Sequence, residues 1–448
     1  MKDPRQFDTV AALRTLFIVA LPAAGSAGYI GAYVLMAAWA LGGPIRAIEA
    51  LCLSAVVGMA NPALFPPPDF VALLRWLVLF AALGTALFAR RPSPWRWPPV
   101  LKIATAFVAM VAMEILVSSY AKDVSFSKLI IFFIGVTAVV LNVQLAKEDD
   151  EDKLTRWMLT FGSVFVLASF PVLFTSFGFV TNNRGFQGLL NQPQVYGVFL
   201  APFTAWIAVR VYTGRSRHLF WWGVTAIALI SLVATQARTG MFAVLIALLF
   251  SALVGRVTSE KHVFRTIIIA FLVFAGGTYV FGYAYDAVMP MLQTIAFKLN
   301  DANNLSEAYE ASRGGLIERS MQSFYDNPIF GIGFGLPSSP WSLDVSRVMG
   351  IPVGNPVEKG VLVVSALEEI GAVGFVGFCL LVIVIVYRPL LWRSEQAVAF
   401  TIAALATNAG EATLFSPGGI GLMVWIWLAC GSCAPIQTVM HPQMGRPR

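Results

Sequence analysis

The sequence is poor in charge, and this shortage excludes most classes of soluble protein. Only 12% of its 448 residues are charged, whereas 58% are hydrophobic. Soluble globular domains carry about 25% charged and about 45–50% apolar residues. A chain this apolar needs lipid as its solvent, which excludes a soluble enzyme, a nucleic-acid-binding domain and a disordered protein. The net charge of +7 then indicates basic loops on one side of a membrane, and we expect no nucleic acid as a partner.

Cysteine and histidine are scarce as well, with four and three residues. Cys430 and Cys433 form a Cys-x-x-Cys pair, but the sequence offers no second pair and no nearby histidine to complete a zinc or redox site. We therefore interpret the cysteines as small helix-packing residues, and we predict neither a metal nor a cofactor.

What the sequence does contain is a series of long apolar segments. A membrane-spanning helix needs about 20 apolar residues, and helices are required because lipid cannot satisfy an exposed sheet edge. We predict an all-α polytopic integral membrane protein with about 12–14 transmembrane helices and one long outer loop. The segments lie near residues 16–41, 46–62, 70–89, 100–119, 128–145, 155–177, 195–212, 219–236, 239–255, 264–286, 359–386, 397–414 and 419–436.

A long polar stretch divides the chain into three parts. Residues 1–286 hold the N-terminal transmembrane helices, residues 287–357 the long outer loop, and residues 358–448 the C-terminal transmembrane helices and a tail. Within the loop, apolar residues at helical spacing predict an amphipathic helix over 311–325 that lies on the membrane face. Pro328 is expected to end this helix, and the glycines after it indicate a flexible or closely packed turn.

Lysine and arginine collect in alternate loops, which indicates the orientation of the chain. The face that they mark, called the basic face below, is predicted to be cytoplasmic, and the long loop belongs to the opposite, outer face. The short outer loops hold only Lys122, Lys128, Arg184 and Arg238. The residues of the basic face are Arg46, Arg90, Arg91, Arg96, Lys102, Lys147, Lys153, Arg156, Arg210, Arg215, Arg217, Arg256, Lys261, Arg265, Arg388, Arg393, Arg446 and Arg448.

The N-terminus poses a problem of parity. Lys2, Arg5 and Arg14 favour the cytoplasm, but an odd number of spans with a cytoplasmic C-terminus places them outside. Either Pro22, with the glycines after it, breaks the first segment into two short helices, or residues 46–62 form a re-entrant segment. The sequence leaves both interpretations open.

Arginines on the outer face are the first candidates for chemistry. Gln236 and Arg238 lie in a tight turn at the start of a span, where a guanidinium beside a helix N-terminus favours an anion. Arg184 lies in the preceding outer loop, and Arg313 and Arg319 lie on the predicted amphipathic helix. The alternative interpretation is that these arginines only reach towards lipid headgroups.

Several glutamates are also predicted to lie on or near the outer face. Glu358 and Lys359 stand at its rim, and Glu411 lies near the outer end of the following span. Glu368 and Glu369 lie about three helical turns deeper than the rim. Ionisable residues inside a membrane are costly and mark functional sites. The alternative is a structural pair between a glutamate and an arginine of another helix.

These motifs, in this order, resemble the O-antigen ligase and polymerase-like family of bacterial membrane glycosyltransferases. The resemblance rests on an outer arginine before a proline-containing turn, and on the turn Q-A-R-T-G. It rests further on S-R-x-x-x-I-E-R, on N-P-x-x-G-x-G-x-G and on L-E-E-I-G-x-x-G. It covers about residues 155–435.

The resemblance implies a reaction in which a glycan on undecaprenyl diphosphate is the donor. A hydroxyl of an acceptor sugar attacks the anomeric carbon, and the lipid diphosphate leaves, its charge stabilised by cations. The absence of Asp-x-Asp on the outer face suits a metal-independent enzyme. The resemblance makes Arg238 and Arg313 the predicted catalytic arginines. Glu358 is the predicted catalytic carboxylate because it is the ionisable residue nearest to the position of the family's base. The predicted substrate-binding residues are Arg184, Gln236, Arg319, Lys359, Glu369 and Glu411.

One departure from the family pattern helps to distinguish a ligase from a polymerase. Ligases of this family carry a His-Asn pair shortly before the glycine of the E-x-G motif, where this chain has Gly360 and Val361. The histidines His218, His262 and His441 all fall on the basic face. Because no histidine is predicted on the outer face to act as the base of a ligase, the sequence favours a polysaccharide polymerase or a related exopolysaccharide enzyme.

Glu358 is the nearest carboxylate to that position. Lys359 beside it would hold it ionised, which makes a weak base, and orienting the acceptor is its other predicted role. A ligase that transfers the glycan to an acceptor such as lipid A core is the first alternative function. A flippase of lipid-linked sugars, without catalysis, is the second.

The resemblance also implies a location and a set of partners. We expect a multi-pass protein of the bacterial inner membrane, with its active site facing the periplasm and its C-terminus in the cytoplasm. The expected partners are the undecaprenyl-diphosphate-linked oligosaccharide, an acceptor glycan, the lipid bilayer, and other polysaccharide assembly and export proteins.

Overall fold

A computed structural model describes most of the chain. It covers residues 7–68, 70–89, 97–181, 185–214, 218–256, 314–348, 351–354, 359–416 and 418–433. Three of the predicted site residues, Arg184, Arg313 and Glu358, lie outside the described residues, as does the predicted span 264–286.

Helices dominate the described residues and confirm the prediction of an all-α polytopic membrane protein. Six helical stretches in this part of the chain are long and apolar enough to cross a membrane, and three shorter apolar helices accompany them. The helices are α1 (Thr9–Ala20), α2 (Gly25–Ala40), α3 (Pro44–Gly58), α4 (Val71–Phe88), α5 (Pro99–Ser118), α6 (Lys122–Ser169), α7 (Pro193–Tyr212), α8 (Leu219–Ala234), α9 (Arg238–Arg256), α10 (Gly315–Asp326), α11 (Leu362–Leu391), α12 (Glu395–Ala406) and α13 (Ile420–Ser432).

A small hairpin in the outer loop is the exception to this helical structure. Strands β1 (Val345–Val348) and β2 (Ile351–Gly354) pair antiparallel, with Val345 opposite Gly354. The sequence analysis predicted no strand there, because the loop lacks a clear alternation of polar and apolar residues.

Local sequence signals explain where several helices begin. Proline occupies the first position of α3, α5 and α7, namely Pro44, Pro99 and Pro193, where its fixed φ suits a helix and its missing N–H costs nothing. Asp8 and Ser394 cap α1 and α12 by accepting hydrogen bonds from the amides of the first turn, at 2.9 and 3.3 Å. The observed helix starts therefore lie near the span boundaries that the sequence predicts.

The first apolar segment is broken into two short helices. A single 3₁₀ turn at Leu21–Ala24 separates α1 from α2, and Gly25 adopts φ +69°. Arg14 in the middle of α1 and Trp39 near the end of α2 both donate to the Glu49 carboxylate, so these two side chains lie together on the basic face. Of the two interpretations left open by the sequence, the structure confirms the break at Pro22. Arg14 lies on the same face as Arg46, because both guanidinium groups stack on the Trp39 ring.

The Glu49 carboxylate is buried, at 4% exposure, and accepts hydrogen bonds of 2.7 Å from both Arg14 Nη2 and Trp39 Nε1. We expect Glu49→Gln to lower the free energy of unfolding by about 2 kcal/mol, because the buried carboxylate is lost while water compensates only part of the Arg14 charge, whose side chain is 25% exposed. Thermal unfolding of the purified protein in detergent measures this. Glu151→Gln is the matched control, because Glu151 is exposed and pairs with Lys147 at 3.6 Å; its expected effect is below about 1 kcal/mol. Equal unfolding midpoints for the two variants would contradict the prediction.

Two of the long helices contain breaks. In α6 the backbone is extended at Asp150, in the acidic stretch that separates the predicted spans 128–145 and 155–177. In α11 the backbone breaks at Gly371, with φ +59° and ψ −169°. The sequence analysis predicted one uninterrupted span over 359–386, so this second break is a correction.

A cluster of aromatic rings lies beneath the outer loop and ties it to the helices. Phe415 packs against Phe107, Phe132, Phe334 and Phe378, with ring centroids between 5.3 and 6.2 Å apart. Because Phe334 belongs to the glycine-rich part of the loop, this apolar packing holds the loop against α5, α6 and α11.

Candidate functional site

The break in α11 is filled by the backbone of the outer loop. Residues 327–337, called the glycine loop below, run beside Gly371 and exchange backbone hydrogen bonds with both halves of the helix. Irregular backbone at this depth is tolerated only where protein satisfies it. The bonds run from Ile332 N to Glu368 O (2.9 Å), Gly333 N to Glu369 O (3.0 Å), Ala372 N to Pro328 O (2.9 Å) and Val373 N to Ile329 O (3.2 Å).

Side chains beside the break form a buried ionic network. Lys359 Nζ lies 2.9 Å from Glu368 Oε2 and 3.2 Å from Glu369 Oε1, and the three residues are 8%, 0% and 5% exposed. Glu369 Oε2 accepts a hydrogen bond of 2.7 Å from Gly335 N–H. The alternative interpretation paired such a glutamate with an arginine of another helix, whereas Lys359, just before α11, is the residue that pairs with Glu368 and Glu369.

The start of α6 contributes further contacts to the glycine loop. Lys128 Nζ donates to Gly335 O at 2.6 Å, and Tyr120 Oη donates to Pro337 O at 2.7 Å. Burial, together with the nearby carboxylates of Glu368 and Glu369, raises the pKa of Tyr120 to about 12. The site prediction omitted Lys128, although a lysine two turns inside a spanning helix is a recognisable signal.

The turn before α9 places Gln236 and Arg238 on the outer face. Gln236 has φ +55°, and Arg238 is the first residue of α9, with a half-buried side chain. Ala237, between them, packs against Gly197 near the start of α7, so the turn is held close to that helix. A guanidinium at this position adds its charge to the free N–H groups of the helix start.

Glu411 lies where the starts of α9 and α11 meet. Gly410, the preceding residue, packs directly against Thr239, which follows Arg238. Ala412 N, on the other side, donates to Lys359 O at 3.4 Å. The half-buried Glu411 is therefore flanked by the segment of Arg238 and the segment of Lys359.

Arg319 lies on the neighbouring helix α10, which packs against α11. Its side chain is exposed, and its Nε donates to Gly315 O at 3.0 Å within the same helix. The helix ends at Asp326, immediately before Asn327-Pro328, which confirms the predicted amphipathic helix and its end. The glycines after it form the closely packed turn, one of the two predicted forms.

The structure thus brings several of the predicted residues to one region of the outer face. Among the described residues, Gln236, Arg238, Lys359, Glu369 and Glu411 belong to it, and Arg319 lies on the adjoining helix. His218, by contrast, caps α8 on the basic face by accepting from Phe220 N at 3.2 Å. Within the part of the chain that the structure describes, no three His, Cys, Asp or Glu side chains are grouped as a metal site.

Comparison with known proteins gives one match. Residues 223–351 match the family model described as O-antigen ligase. No curated protein and no solved structure matches the chain. The matched residues include Gln236, Arg238 and Arg319, and they end before the network of Lys359. Together with the polytopic helical fold, this match supports the resemblance of the chain to the O-antigen ligase and polymerase-like family.

Proposed function

We propose that this protein is a membrane glycosyltransferase that polymerises undecaprenyl-diphosphate-linked repeat units into a cell-surface polysaccharide or exopolysaccharide. The reaction is proposed to take place at the periplasmic face of the bacterial inner membrane. The observation that carries the proposal is the position of Arg238 at the first residue of α9, within the matched domain and beside the segment of Glu411.

The leaving diphosphate is the group that needs stabilisation in such a reaction. Arg238 supplies a guanidinium and the N–H groups of a helix start, a combination suited to phosphate oxygens. Arg313 and Arg184 are proposed to complete the cationic site, with Gln236 and Arg319 binding other polar groups of the donor. Because these cations balance the developing negative charge, the mechanism that we propose needs no metal.

The acceptor hydroxyl needs a group that takes its proton. As the oxygen forms its bond to the anomeric carbon, the bond from that carbon to the diphosphate breaks, and the hydroxyl proton passes to a carboxylate. Glu358 is proposed for this step, with Glu411 orienting the acceptor. The pairing of Lys359 with Glu368 and Glu369 supports this role, because the ammonium charge is already balanced by those two carboxylates.

A ligase is the second candidate function, and the description of the matched family favours it. A flippase fits less well, because the site residues described here gather on one face rather than along a path through the membrane. The missing outer-face histidine remains the reason to prefer a polymerase.

Deletion of the gene separates the three functions. We expect the deletion strain to retain single repeat units on their final acceptor and to lose long chains, because polymerisation alone is removed. Gel analysis of surface polysaccharide, with mass spectrometry of the extracted lipid carrier, measures both pools. Long chains accumulating on the lipid carrier would indicate a ligase instead. Lipid-linked single units confined to the cytoplasmic leaflet would indicate a flippase.

A further inference from the structure

We infer that Lys359, Glu369 and Lys128 are positioning residues that anchor the glycine loop to α11 and thereby hold α10 beside the site. This inference rests on the proposed function, and it assigns to Lys359 and Glu369 a role other than contact with substrate. The three side chains act on the substrate only through the loop.

Gly335 is the point at which the loop is held from two sides. Its N–H donates to Glu369 Oε2 at 2.7 Å, and its carbonyl accepts from Lys128 Nζ at 2.6 Å. Gly335 has φ +71°, and a Cβ on it would lie 2.6 Å from Lys128 Cδ. The loop therefore fits between a carboxylate of α11 and an ammonium of α6, and only glycine leaves room for this arrangement.

The charged side chains of the anchor depend on one another, because each balances the charge of its neighbours. Lys359 lies between the carboxylates of Glu368 and Glu369, and Lys128 is attracted to Glu369 from the other side of Gly335. Removing one charge from such a buried set leaves the others uncompensated, so the whole anchor weakens. A neighbouring ordered segment that depends on the anchor is expected to loosen with it.

The segment that depends on this anchor is α10. The helix ends at Asp326 and the loop begins at Asn327, with no spacer between them. The first bond between the loop and α11, from Ala372 N to Pro328 O, follows one residue later. Release of the loop would therefore free the C-terminal end of the helix that carries Arg319.

The expected kinetic effect follows from this coupling. If a variant lowers the fraction of molecules with the loop docked, donor binding must restore the docked form, which raises KM by the inverse of that fraction. Once donor is bound, the catalytic groups are in place, so kcat is retained. We expect Lys359→Met and Lys128→Met each to raise KM for the lipid-linked donor tenfold or more, with kcat within about threefold of the unaltered protein.

The experiment combines glycan transfer with hydrogen exchange on the full-length protein in lipid nanodiscs. Transfer is measured with a lipid-linked repeat unit, and exchange is measured on the peptide of residues 327–337 without donor. Lys359→Arg keeps the charge and is expected to restore KM and the protection of the loop. Glu49→Gln is the matched control, because it breaks a buried ion pair on the opposite face and should leave KM and loop exchange unchanged.

Each outcome decides one question. Faster exchange of the loop, together with a raised KM and rescue by Lys359→Arg, supports the inference. A fall in kcat at unchanged KM, or unaltered exchange of the loop, overturns it. If Lys359→Met does not fold, Lys128→Met alone decides, because it keeps the pairing of Lys359 with Glu368 and Glu369 intact. If the unaltered protein transfers no glycan, the proposed function fails, and the exchange data still decide whether the anchor exists.

Discussion

Glycan transfer by the Arg238→Ala variant is expected to fall about 100- to 1,000-fold, the usual cost of removing one preorganised donor from a developing charge. Arg238 is the first residue of α9, so its guanidinium and the free N–H groups of the helix start act on the same anion. The loss should appear mainly in kcat, because charge on the diphosphate grows as the anomeric bond breaks. Transfer from a purified lipid-linked repeat unit, measured at saturating donor, provides the test.

The choice of variants makes this result specific. Arg238→Lys keeps the charge but loses the planar fork, and we expect it to recover only part of the activity. Arg46→Ala is the control, because Arg46 stacks over Trp39 on the basic face, with 4.7 Å from its Cζ to the ring centroid. Activity of Arg238→Ala equal to that of Arg46→Ala would remove Arg238 from the mechanism.

Gly371→Ala is expected to destabilise the protein by about 3 kcal/mol. Gly371 has φ +59° and ψ −169°, a conformation adopted almost solely by glycine that costs another residue about 1–3 kcal/mol, and a Cβ there would overlap the carbonyl group of Ile329. Overpacking of this kind adds about 1–3 kcal/mol, and the atoms in the way are backbone, which cannot turn aside. The thermal unfolding midpoint of the purified protein measures the effect.

Gly84→Ala in α4 is the matched control for this substitution. Nothing lies within 4 Å of an added Cβ at Gly84, and its φ is not positive. Alanine in a helix interior is favoured over glycine by about 0.5–1 kcal/mol, so this variant should be unchanged or slightly more stable. The same midpoint for both variants would show that the break in α11 tolerates a side chain.

The parts of the fold that the sequence predicted depend on local signals. The break between α1 and α2 coincides with Pro22, and the end of α10 lies just before Pro328. Proline restricts the backbone conformation of its own and the preceding residue, and this effect needs no contact with the rest of the chain. The spans themselves follow from apolar length.

The parts that escaped prediction depend on distant residues. The break at Gly371 exists because a loop about 40 residues earlier supplies its missing hydrogen bonds, and no property of the span itself reveals that partner. Lys128 contacts Gly335 only because α6 and the loop meet in the fold.

The break in α11 has a consequence for the biosynthesis of the protein. The segment after Gly371 runs to Leu391 and has about 20 residues, the length that a nascent chain needs to enter the bilayer by itself. The segment before it, with Glu368 and Glu369, is too short and too polar to do so. We expect the insertion machinery to recognise only the later segment, so that the earlier one reaches its final depth after synthesis, together with the glycine loop that completes its backbone.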